Sequence, residues 1–454
     1  MPSILRQSIP VRFSLFLFLL LGLLPLNLSG CAHQTAAEHA AHLAATQELA
    51  AAPRHGNTPD YSLAPADLAK ADHLDRVGEL LHFGDEAWGI LSLLLLLTSG
   101  AVAWMQDRSL KLSSNRWAQG YGFLFLFLLI TTLLELPVDL YAHHLSLRYG
   151  LSVQHWPGWF WDQAKMFALT WAIGGLLLML LFWIIRKLER IWWLVFWCVS
   201  IPILFFGIFA APYLEPLFFK YQPLEKTNPA LVARLEQVVQ KGHMHIPPER
   251  MFLMQASAKL STLNADVEGF GSSKRVVVWD TTIARMTPDE IVFVFGHESG
   301  HYVLHHIRNT IVFVLALLLV TFYLGYLFVQ WSIARFGPRW RISSQKDWAA
   351  LAVLLLAFSI FGTLLEPIQN TYSRAHEHAA DIYGEEAIHG LVADPQAAAT
   401  AAFDVLGKTS LADPNPGPLY VFWTYSHPSI GYRAAFAQHY NPWAPGMQPK
   451  YFKR

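Results

Sequence analysis

The chain has 454 residues, and its composition limits the class of protein to which it can belong. Hydrophobic residues make up 54% of it and charged residues only 15%, which is too apolar for an ordinary soluble domain of this length. The formal net charge is zero, so no basic field favours nucleic-acid binding. The two cysteines, Cys31 and Cys198, exclude a disulfide framework and a cysteine-based zinc site.

The N-terminus has the pattern of an export signal. Arg6 and Arg12 precede the apolar stretch 13–26, which is short for a membrane span but typical of a signal peptide. Small residues lead up to Cys31, as at a bacterial lipoprotein cleavage site, so we predict a signal peptide over 1–31. An uncleaved signal anchor is the alternative. The Ala-, His-, Gln- and Thr-rich residues 32–60 are predicted to form a tether.

Six further windows are long and apolar enough to cross a bilayer. Four of them define a predicted N-terminal membrane domain over 61–211, and the other two lie in a predicted peptidase domain over 212–454. Basic residues concentrate in the loops that follow the first, third and fifth windows, and the positive-inside rule assigns these loops to the cytoplasm. The windows are 87–105, 121–140, 167–185, 191–211, 309–331 and 348–365.

A mostly polar module lies between the fourth and fifth windows. Helical periodicity covers 228–241, and apolar or β-branched runs at 250–254 and 276–279 predict two short strands. The stretch 264–273 has the composition of a glycine-rich turn. A small sheet of this kind suits a peptidase, because an exposed strand edge can bind an extended peptide through main-chain hydrogen bonds.

An HExxH metalloprotease motif follows the predicted sheet. His297 and His301 are four residues apart, so on a helix both rings can reach one Zn²⁺. Glu298 between them can take a proton from the attacking water. The same motif also arises by chance in helices that only happen to contain histidines.

The residues around this motif favour a helix. Thr287 and Glu290 are spaced as a capping box, and Pro288 suits the first helical position. The apolar residues that follow are expected to carry the helix through His301 towards His306.

A third metal ligand is expected on another helix. After a proline that predicts a break behind the last window, a helical pattern continues to near residue 390. Glu377 and Asp381 lie on one face of it, so Glu377 would complete a His₂Glu site and Asp381 would orient a ligand. By chemistry alone His376 or His378 competes with Glu377, and a charged, solvated helix face is the remaining alternative.

Taken together, these motifs resemble those of the integral-membrane zinc metalloproteases typified by the type I CAAX prenyl endopeptidases. The likeness extends over most of residues 60–436. The matching segments are 136–141, 149–150, 215–224, 264–265, 273–275, 280–281, 373–381, 417–420 and 425–433.

The resemblance assigns the ligand set. It selects Glu377 as the third ligand over its histidine neighbours, so that one Zn²⁺ per chain is expected. It also implies that Arg374 and Asp381, which match the same helix of the family, support the site.

The resemblance implies further roles around the metal. His427 matches a histidine that helps to stabilise the tetrahedral intermediate, and Arg433 matches an arginine that supports the site. Asn264 and Ala265 match the family's substrate strand and would hold the peptide backbone. With Glu298 as general base, the implied chemistry is metal-assisted peptide hydrolysis.

The expected fold is therefore mainly α: a multi-pass membrane bundle that encloses a chamber, with a gluzincin-like module that contains a small β-sheet. The chamber is implied by the resemblance, and Glu135 and Asp139, which are costly in lipid, should face it or the protein interior. The predicted leader replaces the family's first span, which leaves six spans. The active site is predicted to face the periplasm, whereas eukaryotic relatives face theirs to the cytoplasm.

The predicted function is zinc-dependent cleavage of membrane-associated or unfolded proteins in the inner membrane of a bacterium. The expected partners are a peptide or protein substrate and the lipid bilayer, with no nucleic acid. Prenylated CAAX proteins are not expected as substrates in such an organism. The alternatives are a non-catalytic scaffold that holds zinc, and a transporter, since polar residues in spans often mark pathways.

Overall fold

The computed structural model describes residues 56–269 and 274–452, and before them the single residues Ala40, Ala44 and Gln47. The predicted signal peptide over 1–31 and most of the predicted tether over 32–60 lie outside the described residues. At the end of the tether Thr58 is buried and donates a hydrogen bond from Oγ1 to the carbonyl of Tyr61. The chain is therefore packed before the predicted end of the tether.

Five helices form the N-terminal half of the described chain, and all except the second are long and apolar enough to span a membrane. The windows at 121–140, 167–185 and 191–211 fall on the third, fourth and fifth helices, as predicted. The helices are α1 (Pro65–Thr98), α2 (Ala101–Leu112), α3 (Arg116–Arg148), α4 (Trp156–Lys187) and α5 (Trp192–Leu214).

The first predicted span differs from the structure. The window 87–105 crosses the break between α1 and α2, where Gly100 has a φ of 77°. A left-handed conformation of this kind ends a helix, and glycine adopts it without steric cost. The first candidate span is therefore α1, which begins well before the window and ends within it.

The C-terminal half of the described chain contains a small sheet and nine helices of mixed length. Two of these helices, the fifth and sixth candidate spans, carry the windows 309–331 and 348–365. In chain order the elements are β1 (Tyr221–Pro223), α6 (Leu224–Thr227), α7 (Pro229–Lys241), β2 (Met251–Met254), β3 (Ala265–Glu268), β4 (Arg275–Trp279), α8 (Asp280–Arg285), α9 (Pro288–Val303), α10 (His306–Trp340), α11 (Ala350–Ile388), α12 (Pro395–Ser410), α13 (Pro418–Thr424) and α14 (Ile430–His439).

The sheet has four strands in the order β1-β2-β4-β3, with β2 and β4 parallel and the other pairs antiparallel. The strands predicted at 250–254 and 276–279 are confirmed as β2 and β4. The prediction of a turn over 264–273 is wrong in its first half, which forms β3 at the sheet edge. Ala265 and Val267 pack into the core beneath the sheet. Strand alternation turns Asp266 and Glu268 to the opposite face.

The HExxH helix is α9, and its start is as predicted. Thr287 and Glu290 form the capping box, each side chain bonding the other residue's backbone N–H. The expectation that the helix continues towards His306 is wrong. α9 ends at Val303, and His305, with a φ of 59°, separates it from α10.

The predicted proline break after the last span is also wrong. α11 continues through Pro367 to Ile388 as one helix of 39 residues. Pro367 is buried, and α11 packs along α1, α9 and α10. These tertiary contacts outweigh the loss of a single helical hydrogen bond.

Two glycines set the distance between α9 and α11. A Cβ atom on Gly296 would lie 3.0 Å from the carbonyl oxygen of Gly384, and one on Gly384 would lie 2.8 Å from the backbone nitrogen of His297. Side chains at either position would push the helices apart. The contact therefore brings the HExxH motif against the stretch of α11 that contains Glu377 and Asp381.

Candidate active site

Three potential metal donors converge where α9 meets α11. Nε2 of His297 lies 3.1 Å from Nε2 of His301 and 3.2 Å from Oε2 of Glu377, and His301 Nε2 lies 3.6 Å from Oε1 of Glu377. Ligand atoms at about 2.1 Å from a tetrahedral Zn²⁺ are separated by about 3.4 Å. The three donor groups form a triangle in which Glu377 presents Oε2 to His297 and Oε1 to His301. Its edges suit a zinc ion, and all three side chains are buried.

Glu298 stands farther from the same point. Its carboxylate and the two histidines of the motif have ligand atoms within 4.8 Å of one another, so a broad distance limit would also group Glu298 with the donors. Its Oε1 lies 3.9 Å from Nε2 of His297, however, compared with 3.2 Å for Glu377. The extra distance suits a base that acts on a water molecule beside the metal rather than a ligand.

The buried ion pair of Asp381 and Arg433 contacts His297 on the ring nitrogen that faces away from the other donors. Asp381 Oδ1 lies 2.8 Å from His297 Nδ1, and Arg433 donates to both oxygens of Asp381 at 2.6 and 2.9 Å. A carboxylate on the outer nitrogen fixes the tautomer and orientation of a metal-binding histidine. Arg433 is thus directed mainly at Asp381, while its Nη2 also lies 3.8 Å from Glu377.

His427 approaches the donors from the segment between α13 and α14. Its Nε2 lies 3.3 Å from Oε2 of Glu377, and Ser426 Oγ lies 2.9 Å from its Nδ1. When the serine hydroxyl donates to Nδ1, the proton of a neutral imidazole sits on Nε2, which then points towards the donor cluster. Burial lowers the pKa of His427 to about 4, so the ring is neutral at ordinary pH.

Arg374 was expected to support the ligands, but the structure places it elsewhere. Its guanidinium donates to the carbonyls of Val421 and Tyr425 at 3.0 and 2.6 Å, and to Thr371 Oγ1. Arg374 therefore anchors α13 and the start of the segment that contains His427 to α11, and its effect on the site is indirect.

The two predicted substrate-binding residues differ in what they offer. The backbone N–H of Asn264 donates to Thr282 Oγ1, and the same hydroxyl donates to the carbonyl of Asn264. The side chain of Asn264 donates to Asp266. The backbone carbonyl of Asn264 also accepts from the N–H of Trp279 in β4. Along an antiparallel strand, the main-chain N–H and C=O groups of successive residues point alternately to one neighbouring strand and to the other side. Since Asn264 bonds β4, the main-chain groups of Ala265 point to the open edge of the sheet, where β3 has no neighbour among the described strands. Ala265 is thus the better placed of the two to bind a peptide backbone.

An apolar cavity of about 140 Å³ opens beside Glu298 and His427. Its apolar lining includes Met286, Phe293, Phe403, Leu406 and Ile430. Met286 directly follows α8, and the other four residues belong to α9, α12 and α14, so that only the packing of these elements brings them together. No local pattern in the sequence marks them as one pocket.

The surroundings of the two motif histidines shift their pKa values in opposite directions. Burial alone would lower the pKa of His297, but its hydrogen bonds to Asp381 and Glu377 raise that pKa to about 10. For His301 burial prevails and lowers the pKa to about 3. A metal that binds here must therefore displace a proton from His297, whereas His301 is already in the neutral form that a ligand requires.

Two residues next to the site were not identified from the sequence. Asp266 lies on the face of β3 that points away from the core, and its charge acts on Glu298. The two-residue spacing from Asn264 would have indicated this shared face, had the stretch been predicted as a strand. His306 lies with Nδ1 only 2.9 Å from Nδ1 of His301. Their five-residue spacing does not predict this contact, since in one helix it separates side chains widely.

The long apolar helices, the donor triangle and the adjacent apolar cavity together define a membrane metallopeptidase. Residues 225–441 match the model of peptidase family M48. Residues 61–220, which cover α1 to α5, match the model described as CAAX prenyl protease N-terminal, five membrane helices. The chain belongs to peptidase family M48.

Individual relatives agree with this assignment. The chain is 31% identical to the "Uncharacterized metalloprotease YhfN" of Bacillus subtilis, over 84% of this chain and 87% of that protein. It is 28% identical to CAAX prenyl protease 1 of Saccharomyces cerevisiae, over 70% of this chain and 71% of that protein. The predicted resemblance is confirmed, as is the prediction of a membrane metalloendopeptidase.

The crystal structure of Ste24p from S. mikatae shares the fold. It superimposes with a TM-score of 0.70 at 21% sequence identity, covering 95% of this chain and 100% of that chain. The expected fold class is thus confirmed: a mainly α, multi-pass membrane bundle joined to a module with a small sheet.

Proposed function

We propose that the chain is a zinc endopeptidase whose ligands are His297, His301 and Glu377. The observation that carries the proposal is the donor triangle, with edges of 3.1, 3.2 and 3.6 Å. Two imidazoles and one carboxylate, with room for a fourth ligand, are the usual donor set of a catalytic zinc site. A structural zinc site would instead be closed by a fourth protein ligand.

The bound metal would polarise the scissile carbonyl and make an attacking water molecule more acidic. Glu298 takes the proton of this water and later delivers it to the amine of the leaving strand. Asp381 and Arg433 keep the ring of His297 in place throughout. His427, with its proton on Nε2, donates a hydrogen bond to the carbonyl oxygen as negative charge develops there, a contribution of about 3–4 kcal/mol for a well-placed donor.

The substrate in this proposal is an extended segment of a peptide or protein. Its backbone adds to the open edge of β3 at Ala265, and Asn264 contacts it from the cavity side. The apolar cavity beside Glu298 receives one large hydrophobic side chain next to the scissile bond. This combination suits membrane-associated or unfolded proteins, because both expose apolar segments in extended form.

The location we propose is a bacterial inner membrane, with the site facing the periplasm. The support for a membrane location is the set of six candidate spans among the described residues. The support for the orientation is the concentration of basic residues in the loops that follow the first, third and fifth windows.

Two alternatives are a scaffold that holds zinc without catalysis, and a transporter. The pocket beside Glu298 favours a peptidase, because neither alternative needs a hydrophobic subsite against a general base. Glu298→Gln separates the peptidase from both alternatives, since it removes the base but none of the proposed ligands. In the purified, detergent-solubilised enzyme, we expect cleavage of an unfolded reporter protein to fall at least 100-fold while zinc content stays near one per chain.

A chelator provides the second arm of this experiment. It should abolish cleavage by the unmodified protein, and added Zn²⁺ should restore it. Cleavage that is unaffected by both the chelator and Glu298→Gln would contradict the proposal. Loss of zinc from the Glu298→Gln protein would mean that Glu298 is a ligand.

A further inference from the structure

The turn between α9 and α10 brings an additional histidine to the proposed metal site. α9 ends at Val303, and His305 takes a left-handed conformation, with a φ of 59°, before α10 begins at His306. In an unbroken helix, five residues correspond to a rotation of about 140°, which would turn His306 away from His301. The break brings the two Nδ1 atoms to 2.9 Å instead.

The contact between His301 and His306 is buried, and a third histidine packs against it. His306 is fully buried, and His301 is 4% exposed. The ring of His306 packs against that of His376, with 4.5 Å between centroids and 32° between the planes. His376 directly precedes Glu377 in α11, so His306 lies between the two helices that carry the metal donors.

The proton positions follow from the roles of the two nitrogens. His301 directs Nε2 at the other donors, 3.1 Å from His297 and 3.6 Å from Glu377. A ligand nitrogen must present a lone pair, so the single proton of neutral His301 sits on Nδ1. This N–H then donates to Nδ1 of His306, which keeps its own proton on Nε2.

We propose that His306 is a positioning residue for the metal: by accepting the hydrogen bond from Nδ1 of His301, it fixes the tautomer and ring orientation that present Nε2 to the ion. The inference rests on the proposed function, because it takes His301 to be a ligand. The two ligand histidines are thus held by different groups, His297 by the carboxylate of Asp381 and His301 by a neutral imidazole.

A neutral acceptor has a physical advantage at this position. Glu377 and Asp381 already place two carboxylates in the buried site. A third carboxylate behind His301 would repel both, and it would itself be costly to bury without a cation. An imidazole orients the ring without adding charge.

Two substitutions separate hydrogen bonding from packing. His306→Asn carries an amide oxygen two bonds beyond Cβ, where Nδ1 stands, but it leaves a small cavity. His306→Leu fills the space but offers no acceptor. In competition of full-length, purified protein with a chelator, we expect His306→Leu to weaken Zn²⁺ binding about 10–100-fold, the usual effect of losing such a partner. His306→Asn should stay close to the unmodified protein.

Spectroscopy and stability give readouts that do not depend on activity. The absorption bands of the Co²⁺-substituted protein should change in His306→Leu and not in His306→Asn. A packing role predicts the reverse order, because only the asparagine creates a cavity. The proposal is overturned if His306→Leu binds Zn²⁺ as tightly as the unmodified protein, or if His306→Asn binds it more weakly than His306→Leu.

Thermal unfolding of the metal-free variants checks that they fold. If the leucine variant does not fold, His306→Met replaces it, since a flexible thioether fills the space without an imidazole acceptor. A failure of the proposed ligand set would be recognised separately. In that case the unmodified protein would bind no zinc, or His301→Ala would bind it normally.

Discussion

Glu377 has different surroundings from its two histidine neighbours on α11. The carboxylate faces the histidines of α9, whereas His376 packs on His306, and His378 packs on Phe436 with 4.5 Å between ring centroids. We expect Glu377→Ala to lose the metal, because it removes one of three donors, and His376→Ala and His378→Ala to retain it. Zinc analysis of the purified variants measures this. Retention in Glu377→Ala with loss in either histidine variant would reassign the third ligand.

The pH dependence of the reaction should follow Glu298. Burial raises its pKa to about 8; charged His297 opposes the shift, and Asp266 adds to it. A general base must be ionised, so kcat/KM should fall as the pH drops through this pKa. A bound cation favours the carboxylate and moves this acid limb below pH 8.

Asp266→Asn tests the contribution of the neighbouring charge. It removes a like charge, so the pKa of Glu298 should decrease and the acid limb of kcat/KM should move to lower pH. Profiles of both proteins on the same peptide measure the shift. Glu268→Gln, which alters a charge two residues further along β3, is the matched control. An unchanged limb, or one at higher pH, would contradict the assignment of Glu298 as the base that is titrated.

At the scale of elements, a short segment ties the start of the described chain to the peptidase module. Residues 57–63, the N-terminal strap, pack against α12 and α14. Tyr61 is 1% exposed and donates from its hydroxyl to the carbonyl of Ala412 at 2.9 Å. Ala412 and Asp413 line the cavity beside Glu298. The strap thus supports the outer wall of the proposed substrate pocket.

Substitutions at the strap should affect both stability and pocket shape. A Cβ on Gly407 would lie 2.5 Å from Tyr61 Cζ, so Gly407→Ala should cost about 1–3 kcal/mol through overpacking. Tyr61→Phe, which loses one hydrogen bond, should cost about 1 kcal/mol. Thermal unfolding in detergent measures both. Gly325→Ala is the control, because it is also in a helix but has open space around it.

The consequence for the pocket can be measured separately. Gly407→Ala should lower kcat/KM more for peptides with a large apolar side chain at the cleavage site than for those with a small one. An equal loss for both peptides would mean that the strap stabilises the fold without shaping the pocket.

At the scale of the whole molecule, the basic loops meet at one end of the bundle. Arg341, after α10, pairs with Asp107 in α2 at 2.7 Å, and Lys346 pairs with Glu189 in the loop after α4 at 2.6 Å. The three basic loops predicted from the sequence are therefore neighbours. The positive-inside rule assigns this end to the cytoplasm, because such loops resist transfer across the membrane.

The orientation hypothesis follows from this arrangement. The candidate site and the C-terminal helices, joined to the basic end by α10 and α11, should lie on the periplasmic side. A reporter that is active only in the cytoplasm should give no signal when fused after Arg454, and a strong signal when fused after Ser343. The opposite pattern would sink the hypothesis. Equal expression of both fusions, checked by immunoblotting, is the control.

Much of the local structure could be predicted from the sequence. The capping box at Thr287 and Glu290, the HExxH helix and most of the spans are governed by interactions within a few residues, and these are read directly from the pattern. The errors lie where packing overrides local preference. α11 continues through Pro367 because its neighbours hold it. β3 forms in a stretch with turn composition because Ala265 and Val267 find a core to bury against.

The sequence by itself determined the class of the protein, the position of the metal motif and the set of residues from which a third ligand could come. These depend on hydrophobic length, helical spacing and side-chain chemistry, which are local properties. Only the tertiary structure decided which of these residues meet. The close approach of Gly296 and Gly384, the contact between His301 and His306, and the apolar cavity beside Glu298 all join elements that are separate helices. Distances between such elements are set by the packing of the whole core, for which no single segment carries a pattern.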